Sequence, residues 1–546
     1  MHRFESSAHT DSFARDHLPP QDQWPEMRWD TLPELAAYPK RLNCARELLD
    51  RQAAKYGDRP VIHYNDEVWT YRYLLEAANR IAHVLVDDLG VKPGNRVLLR
   101  APNNPMYVAC WFAVMKVGAI AVATMPLYRW RELTFMADKA EIAVAICDWR
   151  LRDEMETTLK ESRQLRTCRY FYAEGPESLE SLMATKPATF ETVDTAWDDV
   201  CLIAFTSGTT GPAKGCMHFH RDIMAICDTF SRYVLQPDKD DVFTGSPPLA
   251  FTFGLGALVT FPMHAGASTV LVEQFTPQKI LETIQAKKVS VLFTAPTAYR
   301  AMTEMAKDYD IASLEKCVSA GETLPRPTWD GWRDATGIRI TDGLGSTEML
   351  HIFVTSAGDG IRPGATGKAI PGFEARVVDE RGNPVPPGTV GRLAVRGPTG
   401  CRYLDNPERQ AAYVKDGWNF TGDAYVCDED GYFWYQARTD DMIVSAGYNI
   451  SGPEVEAVLM LHPLVQECAV VGAPDPQRGQ IVKAFVVLRE KDRATAETAK
   501  LLQDFVKAEI APYKYPRAID FIDTLPRTQT GKVQRFALRS RDPAAA

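Results

Sequence analysis

Short apolar runs recur along the chain with helix-length segments between them: RVLLR (96–100), AIAVATM (119–125), IAVAIC (142–147), CLIAF (201–205), SVLFTA (290–295), KCVSAG (316–321) and IRITDG (338–343). A strand with one wet face alternates apolar and polar positions. These runs are continuous, which predicts strands buried on both faces in an α/β sheet covered by helices. Met106 to Leu127 and Pro247 to Ala267 stay apolar for longer. A membrane span needs about 20 apolar residues with few breaks. Lys116 and Gly118 interrupt the first stretch; Pro247, Pro248, Pro262 and His264 interrupt the second. The first therefore predicts a buried helix over MYVACWFAVMK and then a buried strand, and no membrane partner is expected.

The texture changes near residue 365. ARVVDERGNPVPPGTVGRLAVRG alternates strands with the turns Arg381-Gly382-Asn383 and Pro386-Pro387-Gly388, which predicts a small antiparallel sheet or barrel. Beyond Arg438, Ser451-Gly452-Pro453-Glu454 predicts a helix start with a capping hydroxyl and an early proline. Strands QECAVVGA and IVKAFVVL follow, then a helix ATAETAKLLQDFVKAEI with Leu501, Leu502, Phe505 and Val506 on one face, then the strand AIDFID. The expected fold class is α/β. A large N-terminal domain (1–438) has buried α/β sheets and a small β-barrel-like subdomain (365–438), and a small α+β C-terminal domain covers 439–546. The boundary rests on the change of pattern, because ARTDDMI has no linker composition.

Composition narrows the function classes. The 62 Lys and Arg against 71 Asp and Glu give a net charge of −9, so nothing electrostatic points to a nucleic-acid partner or a membrane surface. Eleven cysteines are scattered from Cys44 to Cys468 without a CxxC pair, which reads as reduced thiols in a cytoplasmic protein. The N-terminus has no secretory signature and RDPAAA matches no targeting signal.

Four elements carry chemistry. Phe205-Thr-Ser-Gly-Thr-Thr-Gly-Pro-Ala-Lys-Gly215 directly follows the strand CLIAF; free amides, hydroxyls and one lysine after a strand make a polyphosphate cradle. Its spacing is neither that of a Walker loop nor that of the dinucleotide fingerprint. Ile340-Thr-Asp-Gly-Leu-Gly-Ser-Thr-Glu348 delivers a carboxylate beside hydroxyls, a set that suits Mg²⁺. Phe420-Thr-Gly-Asp423 places a carboxylate at a turn, where it can accept ribose hydroxyls, and Arg438 follows fifteen residues later to face phosphate. Leu525-Pro-Arg-Thr-Gln-Thr-Gly-Lys532 ends in a lysine. Each has a plainer reading when taken alone: a mobile loop, a helix cap, a structural ion pair and a solvated lysine.

Together and in this order, the four elements resemble the adenylate-forming superfamily of acyl- and aryl-CoA synthetases, firefly-type luciferases and peptide-synthesis adenylation domains. The resemblance runs from about residue 40 to the end, and departs only where Pro212-Ala213 replaces another residue followed by proline. GLGSTEMLHIF, SAGETLP and PPLAFTFGLG look like the benzoate-CoA and 2-aminobenzoate-CoA ligases, and FARDHLPPQDQWP looks most like the 2-aminobenzoate branch. Amino-acid-activating relatives have an aspartate in the segment Ala250-Phe251-Thr252-Phe253, and this chain has none. Phe251, Phe253, Ile352 and Phe353 supply apolar walls, and Thr252 and His351 a few polar groups, which suits an aromatic carboxylate bounded also by Gly345.

The resemblance implies ATP, Mg²⁺, coenzyme A and an aryl carboxylate as ligands of a monomer or homodimer. Thr206, Ser207, Gly208, Thr209, Thr210 and Lys214 would hold the β- and γ-phosphates. Glu348 with a loop hydroxyl would hold Mg²⁺, and Thr206, Glu348 and Lys532 form the expected catalytic set. Gly321, Glu322 and Thr323 would frame the adenine with Asp342, Gly343, Leu344 and Gly345; Ser346 and Thr347 complete that motif. Asp423 would fix the ribose, Arg438 would face the phosphates, and Lys532 would meet the charge developing between carboxylate and α-phosphate. For the thioester half, the mobile C-terminal domain would rotate about Asp440, bringing Gly447 and Tyr448 to the coenzyme A side. The rival readings are a short-chain, medium-chain or alicyclic acyl-CoA synthetase and a stand-alone adenylation enzyme serving a carrier protein; only 14 residues follow Lys532, with no carrier domain among them. A binding protein without turnover needs neither Glu348 nor Lys532. Cys216, His218 and His220 fall at a spacing of two, but no fourth ligand lies nearby, so zinc is not expected there.

Overall fold

The computed structural model describes residues 4–206, 213–438, 441–445, 448–475, 477–528 and 531–540. Four sheets organise the described residues. The first runs Thr167–Phe171, Val144–Asp148, Arg96–Arg100, Ile120–Thr124, Val200–Phe205, Gly215–Phe219 in spatial order, parallel except for the last pair. The second has nine strands, with Val291–Thr294, Lys316–Ala320 and Ile340–Gly345 adjacent and parallel, followed by the antiparallel Ile352–Thr355. All seven predicted strands fall in these two sheets. Strands 96–100, 120–124, 144–148 and 291–294 are buried at every position, as their continuous apolar character requires. Parallel α/β sheets open their ligand crevice beyond the carboxyl ends of the strands. Thr206, Gly321 and Ser346 each stand just beyond such an end.

The first long apolar stretch is a helix, Pro105–Lys116, buried on all twelve positions. The Asn104 side chain caps it by accepting from the Tyr107 N–H. Lys116 is buried at its far end, where it pairs with Asp50 and donates to Thr192 Oγ1 at 2.6 Å. The second stretch breaks into the short helical segments Thr252–Leu255, Gly256–Thr260 and Phe261–Ala265. No described helix is long and apolar enough to cross a membrane.

Glu374–Val378, Val390–Arg396, Val414–Lys415, Trp418–Cys427 and Phe433–Arg438 form a five-stranded antiparallel sheet. One correction concerns Asp423, which stands in the middle of a ten-residue strand and not at a turn. The next sheet begins at Ile443–Ser445 and contains Tyr448–Ile450, Val465–Asp475, Gly479–Leu488 and Ala518–Phe521. Ser451 caps the helix Gly452–Leu459 as predicted, its hydroxyl accepting from the Glu454 N–H. The helix Ala496–Glu509 buries Thr498, Leu502 and Val506, a stripe at spacing four. Leu501, expected on that face, is 50% exposed because it lies about 100° around the helix from Leu502.

Candidate active site

The strand Val200–Phe205 and the strand Gly215–Phe219 are the two arms of the phosphate-loop candidate. Its mouth is closed by two hydrogen bonds. The Thr206 N–H donates to the Lys214 carbonyl at 2.9 Å, and the Lys214 N–H donates to Thr206 Oγ1 at 3.2 Å. Ser207, Gly208, Thr209 and Thr210 lie outside the described residues. Burial, with the nearby Arg409 guanidinium, pulls the Lys214 pKa down.

Facing this mouth, the strand Ile340–Gly345 ends in a turn that carries Ser346, Thr347 and Glu348. Tyr403 Oη donates to Glu348 Oε1 at 2.6 Å and fixes the carboxylate. Sequence reading missed Tyr403, because one tyrosine beside an arginine carries no chemical signal. Gly321, Glu322 and Thr323 follow the neighbouring strand, whose Ala320 pairs in register with Gly343. Asp342 Oδ1 is enclosed without a hydrogen-bond partner, and burial raises the Asp342 pKa to about 8.

Asp423 and Arg438 oppose each other across an antiparallel pair, with Arg438 Nη1 3.1 Å from Asp423 Oδ1. The structural ion pair is therefore present, and both residues still face the cleft. Gly422 has φ of 78°, a left-handed conformation that favours glycine, and a Cβ there would stand 3.0 Å from Arg438 Nη2 and press on the guanidinium. Lys532 reaches the same cleft from the C-terminal part of the chain. A turn presents it: the Thr528 N–H donates to the Lys532 carbonyl at 2.7 Å and the Lys532 N–H to Thr528 Oγ1 at 3.1 Å. Burial lowers the Lys532 pKa, opposed first by Glu322 and then by Asp423 and Glu348.

Thr206, Lys214, Glu348, Asp423, Arg438 and Lys532 thus line one cleft of about 790 Å³, with 321–323 and 342–347 on its wall. Ion pairs hold the C-terminal part against it. Arg300 and Arg527 both reach Glu467 at 3.1 Å, and Arg527 lies 3.7 Å from Glu322. None of these three contacts was legible, since each joins residues remote in sequence. Tyr448 is 56% exposed, stacked on Tyr513 at 4.7 Å and outside the cleft lining. Asp440 and Gly447 lie outside the described residues.

Gly345 separates this cleft from an aromatic cluster. A Cβ on Gly345 would stand 2.9 Å from the His351 carbonyl oxygen, so the backbone approach demands glycine. The His351 ring is 4.6 Å from Phe261, 5.2 Å from Phe230, 5.6 Å from Phe253 and 6.4 Å from Phe293, centroid to centroid. His351 is 3% exposed, and neither ring nitrogen has a hydrogen-bond partner. Burial pushes its pKa down to about 3, so the ring is neutral at physiological pH. Thr252 is buried at the start of the helix next to Phe253. Ile352 packs over Gly343, and Phe353 lies 6.3 Å from Phe373. Phe251 does not join the cluster. Its backbone is extended while the helix begins at Thr252, so Phe251 leaves on another side and packs on Tyr128 at 6.5 Å. Phe230, Phe261 and Phe293 were missed because they read as ordinary core.

Residues 49–402 match the family model of the AMP-binding enzyme, and residues 454–532 that of the AMP-binding enzyme C-terminal domain. This chain belongs to the AMP-binding enzyme family, the adenylate-forming superfamily. A benzoate–CoA ligase of Thauera aromatica is 34% identical over 517 residues, covering 93% of this chain and 98% of that protein. The crystal structure of the anthranilate CoA ligase AuaEII, in complex with anthranoyl-AMP, matches with a TM-score of 0.88 at 34% identity over 93% of this chain and 98% of that one. A benzoate CoA ligase from Burkholderia xenovorans LB400 matches at 0.83 and 31% identity over 91% and 100%.

The residues present fit the ligands of such a family. Lys214, Arg438 and Lys532 are three cations around one cleft, Asp342 Oδ1 is an enclosed polar atom awaiting a partner, and Glu348 with Thr206 is a hard oxygen donor set of the kind Mg²⁺ takes. Asp342 also yields a stability prediction. Its folded pKa lies above its unfolded value, so its contribution is fully present below about pH 4 and is lost as pH rises to about 8. Asp342→Asn removes the charge permanently. The variant is expected to match the parent at pH 4 and to exceed it increasingly towards pH 8, with a slope of up to about 1.4 kcal/mol per pH unit. Thermal unfolding across that range checks it, and a pH-independent difference rejects a buried protonated Asp342.

The predicted spacing of Cys216, His218 and His220 does not produce a common face, because His220 opens a helix and leaves the strand. Cys216 packs with Cys401 and Tyr403, while His218 Nε2 meets the Thr347 carbonyl. His220 turns instead to Cys44 and Cys201, three donors lying within 4.8 Å of one another. The Cys44 N–H lies 3.2 Å from His220 Nδ1 and already occupies that nitrogen.

Proposed function

We propose that this chain is an ATP-dependent aryl-CoA ligase, with 2-aminobenzoate as the acid it prefers over benzoate. The observation that carries the reading is the meeting of Lys532, Glu348, Lys214 and Arg438 at one cleft whose Gly345 wall backs onto the aromatic cluster of His351. The aryl carboxylate attacks the α-phosphate of ATP and pyrophosphate leaves, giving the acyl adenylate. Both reactants are anions, so the barrier is largely electrostatic. Lys214 and the 206–210 loop hold the β- and γ-phosphates, and Lys532 meets the charge at the α-phosphate. Asp423 fixes the ribose. Mg²⁺, held by Glu348 with Thr206, supplies neutralisation of the phosphate charge when bound. In the second half the coenzyme A thiolate attacks the mixed anhydride and AMP leaves. The C-terminal domain, 439–546, turns about Asp440 between the halves, and Gly447 and Tyr448 come to the thiol side.

Phe253 and the other rings around His351 accept a flat acid and exclude a long alkyl chain. A neutral His351 has one unprotonated ring nitrogen, which offers an acceptor to an ortho amino group. The test is kcat/KM for 2-aminobenzoate, benzoate, cyclohexanecarboxylate and octanoate. An apolar pocket resolves related acids by about 10- to 200-fold, so benzoate is expected within that range below 2-aminobenzoate. Phe253→Ala is expected to shift preference about tenfold towards larger rings. Octanoate as the preferred acid sinks the aryl reading, and benzoate ahead of 2-aminobenzoate sinks only the choice of acid.

A further inference from the structure

The turn that carries Glu348 is gripped from behind by buried polar groups that the reaction itself does not use. His218 Nε2 lies 2.9 Å from the Thr347 carbonyl. A carbonyl only accepts, so Nε2 carries the proton and donates. Thr399 Oγ1 donates to the Met349 carbonyl at 2.8 Å, and Tyr403 Oη to Glu348 Oε1. Between these contacts Leu350 sits at φ of 71°, a left-handed conformation that a leucine adopts only when its surroundings impose it.

The other side of the His218 ring lies against a buried ion pair, with Nδ1 3.7 Å from Asp222 Oδ2, beyond hydrogen-bond distance. That oxygen accepts from the Phe219 N–H at 3.0 Å and pairs with Arg402, the residue before Tyr403. Arg402 Nε also reaches the Met217 carbonyl at 3.3 Å. One buried chain of contacts therefore links the strand after the phosphate loop to the turn of Thr347 and Glu348, and the segment of Tyr403 closes the circuit. His218, Asp222 and Arg402 are fully buried.

We propose that His218 is a positioning residue that sets the Glu348 turn for the divalent cation; this rests on Glu348 as the metal-holding carboxylate. It touches neither substrate nor metal. It holds the Thr347 carbonyl, and so fixes where the next residue's carboxylate points.

The test is binding of Mn·ATP and of metal-free ATP in EDTA, measured by calorimetry on the full-length protein. Loss of one such hydrogen bond is worth about a tenfold change in affinity. His218→Phe is expected to weaken Mn·ATP about tenfold and leave metal-free ATP unchanged. His218→Gln, whose amide nitrogen reaches the position of Nε2, is expected to restore Mn·ATP to within about twofold of the parent. If phenylalanine is too large for the site, His218→Asn, whose amide reaches only the position of Nδ1, must show the same loss. Equal weakening with and without metal, or parental Mn·ATP affinity in both the Phe and Asn variants, overturns the proposal. Glu348→Gln separates the two ideas. If it weakens Mn·ATP while the His218 variants do not, only the positioning role fails; if it leaves Mn·ATP unchanged, the metal role of Glu348 fails and takes the positioning role with it.

Discussion

Lys532→Ala is expected to cut adenylate formation at least about 10²-fold while thioester formation from supplied aryl adenylate survives. The lysine is one of the cations that the C-terminal part brings to the cleft, where Glu322, Asp423 and Glu348 act on its charge. Burial costs its charged form, and the three carboxylates offset that cost only in part, leaving the pKa lowered in the cleft where the proposed reaction brings two anions together. Removing it leaves the anions of the first half-reaction without this partner. In the proposed second half the thiolate attacks a mixed anhydride that is already formed, and that reading gives Lys532 no part in the step. Pyrophosphate release measures the first half; acyl-CoA formation from synthetic adenylate measures the second. Equal loss in both rejects the division of labour.

The parts of the site legible in the sequence were those with local chemistry. Thr206 and Lys214 sit at the two ends of one Gly-rich loop, and Glu348 ends a Gly-rich strand exit; short spacing made both visible. Lys532 was visible only through its motif, since nothing local ties it to a cleft whose other walls lie hundreds of residues earlier. The buried sheets were readable because a strand covered on both faces has a continuous apolar run. That Phe251 and Phe253 point to different neighbours was not readable, because alternation in PPLAFTFGLG gives no warning that extended backbone becomes helix at Thr252. The groups that hold the site together left almost no trace. Tyr403, Arg300 and Arg527 act through single long-range contacts, and His218 was visible only as a false metal spacing.

The largest stability loss is expected at Asp222. Its carboxylate is fully buried, pairs with the equally buried Arg402 and neighbours the buried Arg221. Arg221 lies over the rings of Trp29 and Trp197 at 4.8 and 4.7 Å, with no hydrogen-bond partner on its guanidinium nitrogens. Burial alone would raise the Asp222 pKa, yet Arg402 and His218 hold it below the usual carboxylate value. Its contribution is therefore present above about pH 4 and lost only as pH falls below that. Asp222→Ala at pH 7 strands buried positive charge without its carboxylate, and breaking a buried pair from one side costs about 3–5 kcal/mol. The control is Asp504→Ala, which removes an exposed helical partner of Lys500 whose pairing is screened by solvent, so its loss is expected to be far smaller. Urea unfolding of both variants gives the comparison. A loss at Asp222 no larger than the loss at Asp504 rules out a buried ion pair that stabilises the region behind the Glu348 turn.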